Sequence, residues 1–286
     1  MLFSLRLNTP FPTTVNKAEN FEQIGVHKNN EKYMGQYDKV IALVRKTKKI
    51  ILNPLLRNNF HEKGVNDYVT AVDKEVSSFL KSGLKKLYKD IAFVSEEEDI
   101  KDLQNNRWIL DPIDGTVNLM FDYRLSSVSL GLMLDNKIVF GIVYNPFTSE
   151  TFTAEKGKGA FLNGKQKLTV SQHPISKSLI EFGLGSTRKD EADESFNLAK
   201  EIFKDCIDIR RIASSALSIC YIAARRIDGF LDKSLKPWDY AAASLILEEA
   251  GGIITDFSGH SIQFDFPTSI IASNGKNHNH LLGKVK

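Results

Sequence analysis

The residues RWILDPID, 107 to 114, run an apolar strand straight into two carboxylates. Trp108, Ile109 and Leu110 call for a buried place in a sheet. Asp111 and Asp114 follow, with Pro112 fixing the backbone between them. Two carboxylates at the end of a buried strand repel each other and lose hydration unless a cation offsets both. A fold that keeps this strand in its core must therefore supply such a cation at the strand's end. Hard oxygen ligands, with no histidine in the segment, favour Mg²⁺ over zinc. One carboxylate can bridge two ions while the other binds one of them, and the Ile113 carbonyl can face the same site. Gly115 allows close backbone approach, and Gly115-Thr116 can present N–H groups to phosphate oxygens. Metal beside anion-binding amides points to a phosphate substrate, and paired ions suit in-line displacement by water.

The remaining patterns build layers around that strand. A helical pattern starts at Tyr37 and stops at Asn53-Pro54; Asp73 opens a second helix with Val76, Phe79, Leu80, Leu84 and Leu87 inward. IAFVS and RWILDPID read as buried strands. SSVSLGLML, a turn at Asp135-Asn136-Lys137 and IVFGIVYNP read as a hairpin, and Asn163-Gly164 marks another turn. The GxG of GKGAF lies between strand-like segments rather than opening a helix, so it is no dinucleotide loop. After Ser178 come a strand in LIEFGLG, helices near 195–203 and 214–226, a strand in DGFLD, the helix WDYAAASLILEEAGG closed by Gly251-Gly252, and strands in IITD and SIIASN. Interleaved strands and helices predict a mixed α/β (α+β) class in layers. The expected division is a loosely ordered extension over 1–33, an α+β half over 34–177 carrying the acidic motif, and an α/β half over 178–286 carrying Asp239.

Composition excludes little. Of 286 residues, 38 are basic and 35 acidic, and this surplus of +3 gives no argument for nucleic acid or a membrane surface. No apolar run reaches the roughly 18 residues of a membrane span. Two cysteines, Cys206 and Cys220, suit packed thiols in a reducing cytoplasm. Residues 1–33 lack the apolar centre of a secretory signal.

Other acids sit at element ends, and each has a plainer reading beside it. Asp73 and Asp239 fit helix N-caps. Glu96 to Asp99 fit a solvated charge run. Lys63 and Arg124 fit solvated surface as well as an anion site. HNH at 278–280 fits an exposed C-terminal helix or tail better than a metal tract. Trp238 reads as packing that positions Asp239, and Ala241 to Ala243 as room for close helix packing.

DPIDGTVN, followed some 120 residues later by WDYAAASLILEEAGG, resembles the inositol monophosphatase family. DYVTAVDKEV and the glutamates after IAFVS fit it too, and the likeness covers about residues 36–286. The resemblance implies a layered α-β-α-β-α sandwich of the inositol monophosphatase/fructose-1,6-bisphosphatase type, and a Mg²⁺-dependent, lithium-sensitive phosphomonoesterase, commonly a homodimer. It implies that Glu96, Asp111 and the Ile113 carbonyl hold a first Mg²⁺. Asp111, Asp114 and Asp239 hold a second, and Glu96 orients a third, weaker ion. Asp73 and Thr116 form a hydrogen-bonded pair that activates water with Glu96, and Gly115 and Thr116 bind phosphate. Arg210, Ala213, Ser214, Ser215 and Asp232 face the substrate's alcohol.

Four positions depart from the family pattern: Ser95 and Ala213 replace glycines, Leu119 a phenylalanine and Asp232 a glutamate. The expected substrate is a small phosphorylated metabolite, first inositol 1-phosphate, with 3′-phosphoadenosine 5′-phosphate, NADP and fructose 1,6-bisphosphate as alternatives. The rival from another class is a non-catalytic interaction protein that keeps the fold and meets a protein or RNA partner through its extension.

Overall fold

In a computed structural model, described over residues 37–57, 59–64, 67–98, 104–184 and 189–285, the strands form three sheets. The expected extension and the Lys63 side chain lie outside the described residues. A small antiparallel pair joins β1 (Phe60–Gly64) to β2 (Asp67–Thr70). The large sheet has seven strands in sequence order: β3 (Ala92–Ser95), β4 (Arg107–Asp114), β5 (Ser127–Leu134), β6 (Lys137–Asn145), β7 (Glu150–Glu155), β8 (Gly159–Leu162) and β9 (Gln166–Lys167). Only its β3–β4 pair is parallel. The third sheet comprises β10 (Leu179–Phe182), β11 (Asp208–Arg210), β12 (Gly229–Leu235), β13 (Ile253–Thr255) and β14 (Thr268–Ser273), in the order β11-β10-β12-β14-β13.

Helices fill the spaces around these sheets. The first pattern is broken into α1 (Tyr37–Lys46), α2 (Lys48–Ile51) and α3 (Pro54–Arg57), so Pro54 opens a helix instead of only ending one. That suits a residue whose missing N–H would have had no partner in a first turn. Then come α4 (Ala71–Leu87), α5 (Thr116–Met120), α6 (Ala192–Phe203), α7 (Ser215–Ala223), α8 (Pro237–Glu249) and α9 (His278–Lys284). α4 buries Val72, Val76, Leu80 and Leu84 at fourfold spacing, one stripe against the large sheet. α8 has no polar face: every residue from Tyr240 to Leu247 is buried. A helix apolar all round belongs inside a protein. Here α7 and α8 touch strands of both large sheets and form the central layer.

Side-chain alternation along β4 shows the layering. Ile109 joins the core shared with α7 and α8. Trp108 points the other way, where its ring packs edge-on against Tyr88 after α4 and against Phe140, itself stacked on Tyr37 of α1. Outside the third sheet, α6 and α9 form the last layer. The α-β-α-β-α order is therefore realised. α8 packs closely on the paired glycines Gly131 and Gly141. A Cβ on Gly141 would lie 2.4 Å from the Ala242 carbonyl oxygen. Residues 35–286 form one compact unit.

Candidate active site

The acidic motif lies inside β4, not after it. All eight residues from Arg107 to Asp114 are buried and belong to the strand. Opposite β5 the register slips: Asp111 faces Ser129, but Asp114 faces Ser127. One extra residue is thus accommodated at Pro112-Ile113, where proline has no N–H to give to a ladder. In a regular strand residues three apart face opposite sides. The bulge cancels that, and Asp111 and Asp114 join one electrostatic cluster. Asp111 Oδ1 accepts the Ile113 N–H at 2.9 Å, closing the bulge.

Two more acids come from helix starts, though not at the expected N-cap positions. Thr70 is the N-cap of α4, and Asp73 is the third helical residue, its Oδ2 reaching back to the Thr70 N–H (2.8 Å) and hydroxyl. Asp239 occupies the same place in α8, with Oδ2 accepting the Lys236 N–H at 2.7 Å. This is the capping-box geometry: an acid at the third position folds back onto the first orphan N–H. Each leaves its other oxygen for the site. Glu96 follows β3 directly and its N–H bonds the Leu110 carbonyl at 3.2 Å, which sets it beside the bulge. It is therefore separated in role from Glu98, which pairs with Lys81.

The electrostatics show how crowded these groups are. Burial, then repulsion by Glu96, Asp114 and Asp239, holds Asp111 well above the usual carboxylate range. Burial, then Glu96 and Asp114, does the same to Asp239. Burial raises Asp73 to about 6, against the hydrogen bonds from Thr70. Asp114 is raised by burial, while Ser214, Ser215, Ala216 and Ser127 all donate to it and oppose the shift. The acids are near enough to repel, yet among the described residues no three already converge as a metal cluster. The donor set fits a hard divalent cation: it is all oxygen and acidic, with Asp111 and Asp114 buried and Glu96 and Asp239 half-buried at the cavity.

Asp114 has a second task that its sequence position does not advertise. Its oxygens accept the Ser214 hydroxyl, the Ser215 N–H (2.9 Å) and the Ala216 N–H (2.9 Å), so it anchors the start of α7 from another strand. Thr116 also differs from expectation. Its hydroxyl lies 3.0 Å from the Ile113 carbonyl and 3.4 Å from Asp73 Oδ1, so the pair is a long contact and the shorter bond is to backbone.

A cavity of about 500 Å³ opens over these groups. Glu96, Gly115, Thr116 and Asp239 line one part; Ala213, Ser214, Ser215 and Asp232 line another. Asp111 and Asp114, 2% and 6% exposed, are not among the lining side chains, and neither is Ile113. Gly115 sits at φ +88, and a Cβ there would meet the Ala213 and Leu125 carbonyls at 3.1 Å. Ala213 itself holds φ +59, so alanine stands in a conformation that favours glycine. Asp232 Oδ1 accepts the Ser234 N–H at 2.9 Å.

Arg210 is not brought to the cavity. It is exposed and bonds Asp208, whereas its neighbour Arg211, the first residue after β11, lines the wall. Arg124 is exposed beside Asp122. Of HNH, His278 is buried rather than exposed: its ring nitrogens lie 3.0 Å from the hydroxyls of Thr255 and Ser273. The start of α9 carries it under β14, while His280 pairs with Asp205. Trp238, 8% exposed, packs in the core as expected. Glu181, Arg211 and Asn118 also line the cavity; Asn118 closes the DPIDGTVN motif, whereas no motif marks Glu181 or Arg211.

A sequence model of the inositol monophosphatase family matches residues 33–286. This chain belongs to the inositol monophosphatase family. Among relatives, the Nus factor SuhB of Haemophilus influenzae is 36% identical over 228 residues, 79% of this chain and 85% of that protein. The Nus factor SuhB of Salmonella typhimurium is 36% identical over 200 residues, 69% and 75% of the two chains. Among solved structures, the IMPase of Thermotoga maritima superposes with a TM-score of 0.80 at 32% identity, covering 88% of this chain and 97% of that one. The extragenic suppressor protein SuhB of Bartonella henselae gives 0.80 at 30% identity, covering 87% and 98%. No helix of the described residues is long and apolar enough to cross a membrane.

Proposed function

We propose that this member of the inositol monophosphatase family is a Mg²⁺-dependent phosphomonoesterase acting on a small phosphorylated polyol, with inositol 1-phosphate the first candidate. The observation that carries this is the cluster of Glu96, Asp111, Asp114 and Asp239 beside a cavity, in which burial and the neighbouring acids hold Asp111 and Asp239 well above the usual carboxylate range. Such a cluster is costly without cations. Two to three Mg²⁺ ions would offset it, acidify water and stabilise a leaving oxygen. Asp111 and Asp239 each keep an oxygen clear of the backbone bonds described above. The Asp73 carboxyl, near 6, is suited to accept a proton at neutral pH. The Thr116 hydroxyl stands between it and the cavity and can pass that proton on by turning from the Ile113 carbonyl. The N–H groups at the start of α5 offer donors to phosphate. On the alcohol side, Ser215 and Asp232 present polar groups, with Arg211 in the place expected of Arg210.

The test is hydrolysis of inositol 1-phosphate, 3′-phosphoadenosine 5′-phosphate, NADP and fructose 1,6-bisphosphate with and without MgCl₂. Inositol 1-phosphate should show the highest kcat/KM, and chelation should abolish turnover. Asp239→Asn should lose at least about 100-fold in kcat while remaining folded, since Asn can still accept the Lys236 N–H. Full activity in that variant would remove Asp239 from the site.

A second reading has one observation on its side: the relatives cited above are named Nus factors. A factor role through a macromolecular partner is compatible with the same fold. It would survive Asp239→Asn, whereas hydrolysis would not.

A further inference from the structure

We infer that Glu181 is a positioning residue for the alcohol-facing wall of the cavity; this rests on the phosphatase reading above. Glu181 lies in β10, is 1% exposed and lines the cavity. Its Oε1 accepts the Ile212 N–H at 2.8 Å and lies 2.7 Å from the Ser218 hydroxyl. Its Oε2 is buried and has no hydrogen-bond partner among the described residues. From the opposite side Asp114 grips Ser214, Ser215 and Ala216, and Asn118 Nδ2 holds the Ile212 carbonyl at 2.8 Å. The wall from Ile212 to Ala216 is thus strung between two acids on different sheets.

That arrangement has a reason. Ala213 sits mid-span at φ +59, a conformation an alanine keeps only where its surroundings over-determine it. Release either anchor and the span can relax, moving the groups of Ala213 to Ser215 that face the cavity. The two anchors differ in what else they hold. Asp114 belongs to the acidic cluster, whereas Glu181 touches none of Asp73, Glu96, Asp239 or Thr116 in the bonds described. Loss of Glu181 should therefore disturb the fit of the alcohol more than the chemistry at phosphorus. A plain buried glutamate serving stability would lower the melting point without that division. The uncommitted Oε2 also means that a glutamine, which keeps the Oε1 acceptor, can do the same work.

The full chain with MgCl₂ and inositol 1-phosphate gives the test. Glu181→Ala should raise KM roughly tenfold, the scale of one or two lost hydrogen bonds. Its kcat should stay within about threefold, and Glu181→Gln should bring KM back. A kcat loss without a KM change, or a glutamine variant as impaired as alanine, overturns the assignment. Amide hydrogen exchange of the peptide bearing Ile212, without substrate, gives a reading independent of turnover. Exchange should quicken about tenfold or more in Glu181→Ala and stay slow in Glu181→Gln. If alanine does not fold, Glu181→Asp, one methylene short of reaching both donors, takes its place. Unchanged exchange in a folded variant sinks the proposal even if hydrolysis is confirmed. Absent hydrolysis by the wild type, with exchange behaving as expected, sinks the phosphatase reading and leaves Glu181 as the anchor.

Discussion

Thr116 carries the sharpest chemistry that a single residue can be asked to show. Its hydroxyl lies between the Ile113 carbonyl and Asp73, and only the second contact helps to move a proton. Thr116→Val keeps the shape and removes the hydroxyl. The expected result is a kcat lower by about 10²-fold or more with KM changed little, and recovery in Thr116→Ser. Steady-state kinetics of the three proteins decides it; equal rates for Val and wild type would exclude the hydroxyl from proton transfer. Residue roles of this kind are partly legible in the sequence. The pair Asp111 and Asp114 stands out there because two acids at the end of an apolar run are costly to bury without a cation. Glu181 does not stand out: in LIEF it looks like one polar residue of an alternating strand. Its donors arrive 31 and 37 positions later in the chain. Arg210 and Arg211 illustrate the same limit, since the point where β11 ends, not the local sequence, decides which guanidinium meets the cavity.

Elements are legible where a local rule sets them. Asp135-Asn136 and Asn163-Gly164 take positive φ at both residues; the first is a two-residue hairpin loop and the second starts the three-residue loop between Leu162 and Gln166. The bulge in β4 is not legible, because a register slip is defined by the partner strand. Nor are the places of Asp73 and Asp239, since an acid at the third helical position and an N-cap share the same sequence signals. The central packing of α8 is the element-level feature most open to test. Gly141→Ala puts a Cβ 2.4 Å from the Ala242 carbonyl, a backbone atom that cannot turn aside. Overpacking of this kind costs about 1–3 kcal/mol. Because α8 carries Asp239, the variant should also lose activity beyond its loss of stability. Denaturant melts and kinetics at a temperature where both proteins stay folded separate the two; unchanged stability would mean that α8 does not sit as closely on β6 as described.

For the molecule as a whole, the acidic cluster makes folding depend on the solution. Without cations, the repulsion among Glu96, Asp111, Asp114 and Asp239 opposes the folded state. An ion that binds only the folded chain stabilises it by about 2.7 kcal/mol at 100 times its Kd. For a chain of this length that is a rise of roughly 5 °C or more in melting temperature. MgCl₂ should produce it, and Asp239→Asn should shrink it. Calorimetry with MgCl₂ against NaCl at matched ionic strength is the measurement, and identical shifts from the two salts would leave no specific ion site.

Glu181 gives the molecule a separate dependence on pH, and its sign is opposite to that of a surface carboxylate in an ion pair. Burial raises its carboxyl from 4.5 to about 7, with the bonds from Ser218 and Ile212 lowering it, Asp114 adding to the rise and Arg211 opposing it. The folded chain therefore holds this proton more tightly than the unfolded one. The stabilisation is full below about 4.5 and is lost as pH rises through 7. Glu181→Gln cannot ionise, so its stability lacks this component. Stability of the variant relative to wild type should climb between pH 4.5 and 8 by up to an amount on the order of 3 kcal/mol. The other titrating acids, Asp73 among them, are common to both proteins and cancel in the difference. Urea melts of the pair across that range read it directly. Parallel curves would mean that Glu181 is already ionised in the fold at neutral pH, and that its second oxygen has found a partner.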